Sequence, residues 1–105
     1  MKCYLVLDLK VVNLNDFMTY VKNIPAFLKK HGGKYIVEGV EPILLEGDWH
    51  PERLVILEFP SRQAAESFYT DPEVQPMFDV RRNSTVSKLI MADGASWKEQ
   101  NKIEP

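Results

Sequence analysis

Four stretches of the chain alternate or cluster apolar residues over seven to nine positions, and two longer stretches repeat them at helical spacing. Residues 3–10 (CYLVLDLK), 34–41 (KYIVEGVE), 53–59 (RLVILEF) and 85–93 (TVSKLIMAD) are rich in β-branched and aliphatic side chains. Each is too short for a buried helix, so each predicts a strand. Gly39 weakens the second strand and predicts a bulge or bend. After Pro42, Ile43–Glu46 is read as a continuation of that strand along its edge. Between the first two strands, Phe17, Tyr20, Val21, Ile24, Phe27, Leu28 and His31 recur at three- and four-residue steps, the apolar stripe of a helix. Asn13 offers its N-cap, with Asp16 three residues on. Gly32 and Gly33 end it, because glycine takes the left-handed C-cap without steric penalty. Pro25 removes a backbone donor inside this helix and predicts a kink between Val21 and Ile24. Past the third strand, Ser61 caps a helix whose buried face is Ala64, Ala65, Phe68 and Tyr69. Residues 72–75 make a single turn, and a short helix then carries Met77, Phe78 and Arg81.

The order is therefore β-α-β-β-α-β. That is the α+β, ferredoxin-like arrangement: a four-stranded antiparallel sheet with both helices on one face. Residues 1–94 form one such domain, and 95–105 form a polar C-terminal tail around Trp97 and Ile103. The far side of the sheet should turn polar if it meets water. Instead Leu5, Leu7 and Leu9 oppose Tyr4, Val6 and Asp8, and Val55, Leu57 and Phe59 oppose Leu54, Ile56 and Glu58. An uncovered face of this kind exceeds what soluble monomers usually expose. A homodimer packed sheet against sheet is expected. Which face meets the helices is left open by the alternation, and Leu7 and Leu57 are assigned to the dry layers of that assembly.

The segments HGGKYIVEG, LEGDWHPERLVILEFPS and FYTDPEVQP, followed by Arg81-Arg82, closely resemble the domain-of-unknown-function 1330 family in order and spacing. The likeness extends to Gly94. It implies the dimeric α/β-barrel superfamily, whose members include cofactor-free monooxygenases and isomerases beside proteins of no known activity. Val74 departs from the pattern, standing where the family more often has an aromatic residue. The resemblance carries little about chemistry, because fold does not transmit function.

Composition narrows the classes. The chain has 105 residues, 27% of them charged, with a net charge of −2. It lacks the basic stripe of a nucleic-acid binder. A single cysteine, Cys3, excludes an internal disulfide and a cysteine-built zinc site. His31 and His50 are nineteen residues apart, so no metal set is expected. No dinucleotide or phosphate-loop motif is present, so no cofactor is expected. No leader or membrane span is read, and the expected compartment is the cytoplasm.

The loop from Glu46 to Arg53 concentrates polar groups. Asp48 and Trp49 are candidates for lining a ligand pocket, with Tyr20, Arg53, Tyr69 and Arg81 as further ligand-binding candidates. Tyr69 is expected to aim its hydroxyl between helix and sheet. Glu46, Gly47 and Trp49 are also read as an assembly device: Gly47 turns the chain, Trp49 is mostly buried against the other subunit with its N–H bonded to an oxygen, and Glu46 or Asp48 pairs with an arginine. Asp8 and Glu58 interrupt apolar strands and need partners. In an antiparallel sheet they lie too far apart to meet, and Arg53, Arg62, Arg81 and Arg82 are their expected counter-ions. Two functions remain open. One is a dimeric protein that binds a small organic molecule between helices and sheet. The other is a cofactor-free enzyme, monooxygenase- or isomerase-like, on a small aromatic or carboxylated substrate. No catalytic residue is assigned.

Overall fold

The computed structural model describes residues 1–101. In chain order the elements are β1 (Cys3–Val11), α1 (Leu14–Lys30), β2 (Lys34–Val40), β3 (Arg53–Phe59), α2 (Arg62–Thr70), α3 (Gln75–Ser84), β4 (Thr85–Asp93) and α4 (Trp97–Asn101). The strands form one sheet in the order β2-β3-β1-β4, with every neighbouring pair antiparallel. This is the ferredoxin-like topology predicted above. The chain expected to be loose after Gly94 forms α4 over Trp97–Asn101; Ile103 and the end of the predicted tail lie outside the described residues.

The caps explain where the helices begin. The Asn13 side chain accepts from the Asp16 N–H at 3.1 Å, and the Ser61 hydroxyl accepts from Ala64 N–H at 3.1 Å. At the end of α1, Gly32 sits at φ +74°, a conformation that glycine reaches without strain. Gly33 then passes so close to Phe59 that a Cβ there would lie 2.6 Å from the ring. Pro25 does not interrupt α1, which is helical throughout Leu14–Lys30. The helix continues because one missing N–H bond is small against the burial of Phe17, Tyr20, Ile24 and Leu28 along it.

Ile43–Glu46 is not a strand. β2 ends at Val40, and residues 41–52 form a long irregular arm in which Ile43, Leu45 and Trp49 are exposed. Gly47, at φ +87°, makes its turn as expected.

The sheet's two faces are now distinguishable. Leu5, Leu7, Leu9, Val55, Leu57 and Phe59 point toward the helices and are buried with Phe17, Ile24, Leu28, Ala65, Phe68 and Phe78. Leu7 and Leu57 therefore belong to the core inside one chain and not to a sheet-to-sheet contact. Tyr4, Val6, Asp8, Leu54, Ile56 and Glu58 point the other way, beside the exposed Val86 and Ile90 of β4. The molecule is only 18 Å across its thinnest dimension: one sheet and one helical layer, with Trp49 of the arm reaching Asp8 on the second face and Val86 and Ile90 left exposed there.

Candidate functional site

A cavity of about 300 Å³ lies between α1 and the helix-facing side of the sheet. It sits at the lower end of the size range of small-molecule clefts. α1 contributes Phe17, Tyr20, Val21 and Ile24, β1 contributes Leu7 and Leu9, and β3 contributes Arg53, Val55 and Leu57. Its polar groups are few: the hydroxyls of Tyr20 and Tyr35, the Glu38 carboxylate and the Arg53 guanidinium.

An irregularity in β2 makes this set possible. Tyr35 and Glu38 are three residues apart, so in a regular strand they would face opposite sides. The register slips between Tyr35 and Val37 and again between Glu38 and Val40. Tyr35 consequently pairs with Leu57 and Glu38 with Val55, both on the α1 side. The bulge forecast at Gly39, which adopts φ +72°, is accompanied by a second slip at Ile36 that the sequence did not announce. Arg53 Nη1 donates to the freed Gly39 carbonyl at 3.4 Å, holding the guanidinium at the cavity mouth.

The two phenols are proton donors at neutral pH. Burial pushes the Tyr35 hydroxyl well above its ordinary range, and Tyr20 and Glu38 nearby push the same way. Burial also raises Tyr20, while the Arg81 guanidinium, 5.8 Å from its ring centroid, acts against that rise.

The remaining candidates disperse. Asp48 is exposed and lies at neither the α1 cavity nor the groove along the arm. Tyr69 is partly exposed, does not line the cavity, and packs its ring tilted on Phe78 with centroids 5.6 Å apart. Its hydroxyl does not enter the cavity because the inward positions of α2 are taken by Ala65 and Phe68. Arg81 is buried behind Tyr20 and is not part of the lining. Trp49 donates its indole N–H to Asp8 Oδ2 at 2.7 Å, as expected of its N–H, but the ring is 57% exposed in the single chain. The arm does form an open groove with Trp49, His50 and Glu46. It is larger, about 900 Å³, but it is open to solvent and lined by one segment of chain, residues 41–46 and 49–54.

The carboxylates on the open face find partners other than arginine. Asp8 takes the indole. Glu58 accepts from the Tyr4 hydroxyl at 3.0 Å and pairs with Lys2 at 3.2 Å and Lys34 at 3.5 Å. Burial alone would raise Glu58, but Lys2, Tyr4 and Lys34 together hold it below its usual range. Arg62 goes instead to Asp93 at 2.9 Å, and Arg82 to Asp79 at 3.3 Å. Register keeps Asp8 and Glu58 apart, the first opposite Leu54 and the second opposite Tyr4. Glu46 and Asp48 have no ion pair among the described residues. Cys3 is fully buried, and burial followed by Asp93 raises its thiol, the opposite of an activated nucleophile. Among the described residues no cluster of His, Cys, Asp and Glu could hold a metal ion.

Residues 2–95 match the model of a family described as a domain of unknown function, DUF1330. The chain belongs to that family. No curated protein matches it. Solved structures share its fold at low identity. The RPA0582 protein of unknown function from Rhodopseudomonas palustris is 19% identical, with a TM-score of 0.73 over 90% of this chain and 83% of that one. A dimeric ferredoxin-like protein of unknown function from Jannaschia sp. CCS1 is 10% identical, with a TM-score of 0.69 over 89% and 99%. SnoaB, a cofactor-independent oxygenase from Streptomyces nogalater, is 16% identical, with a TM-score of 0.64 over 90% and 94%. At these identities the likeness establishes the fold that this DUF1330 chain adopts, not its chemistry.

Proposed function

We propose that this DUF1330 protein is a homodimer that binds a small, mainly apolar organic molecule in the cavity under α1. The observation carrying this reading is the bulged β2. It turns both Tyr35 and Glu38 into an otherwise apolar space, where Tyr20 and Arg53 join them. A few converging polar groups on an apolar wall are the usual makeup of a small-molecule site. Dimerisation is supported by the open sheet face, where Val86 and Ile90 are more than half exposed and Val6, Leu54 and Ile56 lie beside them. A cytoplasmic setting is consistent with a single buried thiol; among the described residues no helix is long and apolar enough to cross a membrane. Likeness to SnoaB supports a second reading, cofactor-free oxygenation of the bound molecule. Among the described residues the phenols and Glu38 would then be the proton-transfer groups lining the cavity.

The test uses a neutral probe, 4-phenylbutanamide, followed by backbone amide shifts in NMR. Shifts should concentrate at Tyr20, Ile24, Tyr35 and Val55. Val21→Trp, at a partly exposed position on the cavity edge, should block the site and abolish them while leaving thermal stability nearly unchanged. Shifts confined to residues 41–54 would move the site to the arm and sink this reading.

A further inference from the structure

α3 carries two consecutive arginines with opposite fates. Arg82 is exposed and pairs with Asp79. Arg81 is 4% exposed, and among the described residues no carboxylate pairs with it. Its Nε is buried with no hydrogen-bond partner. The guanidinium lies between two rings, 5.1 Å from the Phe78 centroid and 5.8 Å from that of Tyr20. Ring faces offset part of the desolvation of a cation, but a buried charge normally also has a counter-ion.

Among the described residues Arg81 has no counter-ion, and it meets the cavity lining at Tyr20, through the ring and the hydroxyl. At the cavity mouth Glu38 and Arg53 contribute one charge of each sign and cancel. The inner end is left with the positive field of Arg81 and two phenol donors, Tyr20 and Tyr35. An anion placed there would receive a hydrogen bond from Tyr20 and would supply the charge that Arg81 lacks. The rest of the lining, Phe17, Ile24, Val55 and Leu57 among it, has only apolar contact to offer.

We propose that the cavity selects a small organic monoanion of the carboxylate class, its charged end on the Tyr20 hydroxyl and its apolar body along Phe17, Ile24 and Val55. Arg81 acts through Tyr20 as a positioning residue. The proposal rests on the cavity reading above and adds the sign of the ligand's charge.

The experiment compares 4-phenylbutanoate with 4-phenylbutanamide, which match in size and differ in charge, by NMR titration of the full chain at neutral pH. The acid should bind at least about tenfold more tightly, the effect of one charge-assisted hydrogen bond over a neutral one. That ratio should collapse toward one in Arg81→Gln and in Tyr20→Phe, and persist in Arg81→Lys. A merely structural role for Arg81 would weaken both compounds together and leave the ratio unchanged, which would overturn its assignment. Equal binding, or tighter binding of the amide, would overturn the anion proposal while the cavity reading stands. Failure of both compounds to shift the cavity amides would overturn both. Should Arg81→Gln not fold, the wild-type ratio together with Tyr20→Phe decides.

Discussion

Asp71 shows how much one side chain can fasten. It is the C-cap residue of α2, and its side chain joins three pieces of chain. Its carboxylate accepts from Lys30 Nζ at 2.8 Å, lies 2.7 Å from His31 Nε2, and accepts from the Glu73 N–H at 2.9 Å. The end of α1 is thereby tied to the turn that leads into α3. The Lys30 hydrogen bond first, then His31 and the Glu73 amide, hold its carboxyl far below the ordinary carboxylate range. A depressed folded-state pKa means stability that is present above the unfolded value, 3.8 here, and lost as pH falls below it. Asp71→Asn should therefore lower the melting temperature at pH 7. The gap from wild type should narrow steadily as pH drops below about 4. A gap independent of pH would mean that shape, not charge, holds this corner together. His31 is occupied by this corner, where it also meets Phe68 edge-on at 6.0 Å, and so it is unavailable to the cavity.

At the scale of elements, α1 is the roof of the cavity, and its continuity through Pro25 matters more than its sequence propensity. The carbonyl that Pro25 leaves without a donor belongs to Val21, a partly exposed residue at the cavity edge, where water can serve it. Pro25→Ala restores the donor. An isolated helix would gain about 3 kcal/mol from that exchange. In this setting the gain should be smaller, about 1 kcal/mol, because the surrounding packing already fits proline and the substitution frees the unfolded chain. Chemical denaturation measures it, and a loss of stability would show that the proline positions α1 on the sheet. β2 makes the complementary point, since two register slips within seven residues decide which side chains reach the cavity.

For the whole molecule, the uncovered sheet face is the dominant fact. Ile90 projects from it at 62% exposure, opposite Val6. Ile90→Lys should leave the fold intact and convert a dimer of twice 12.1 kDa to monomer in light scattering. Leu7→Lys places a charge at a position 3% exposed beneath α1 and should unfold the chain by circular dichroism. A wild type that is already monomeric would end the sheet-to-sheet proposal. In the proposed dimer the exposed Trp49 ring and the apolar Ile43 and Leu45 of the arm would find cover against the second copy.

The β-α-β-β-α-β order, the caps at Asn13 and Ser61 and the stop at Gly32 were determined by the sequence itself. These depend on local backbone chemistry and on periodicity, both of which are written in consecutive residues. So was the separation of Asp8 from Glu58, a consequence of antiparallel register. Tertiary structure alone decided which face of the sheet is core, because Leu7 and Ile56 are equally apolar and only the docking of α1 and α3 distinguishes them. It also decided that Arg81 is buried between two rings while Arg82 pairs with Asp79, although the two are adjacent and identical in kind. The cavity was the least legible part. Tyr20 and Arg53 were among its candidates, but Glu38 and Tyr35 enter only through bulges in β2, and a bulge reverses the facing of every later side chain without changing a single residue.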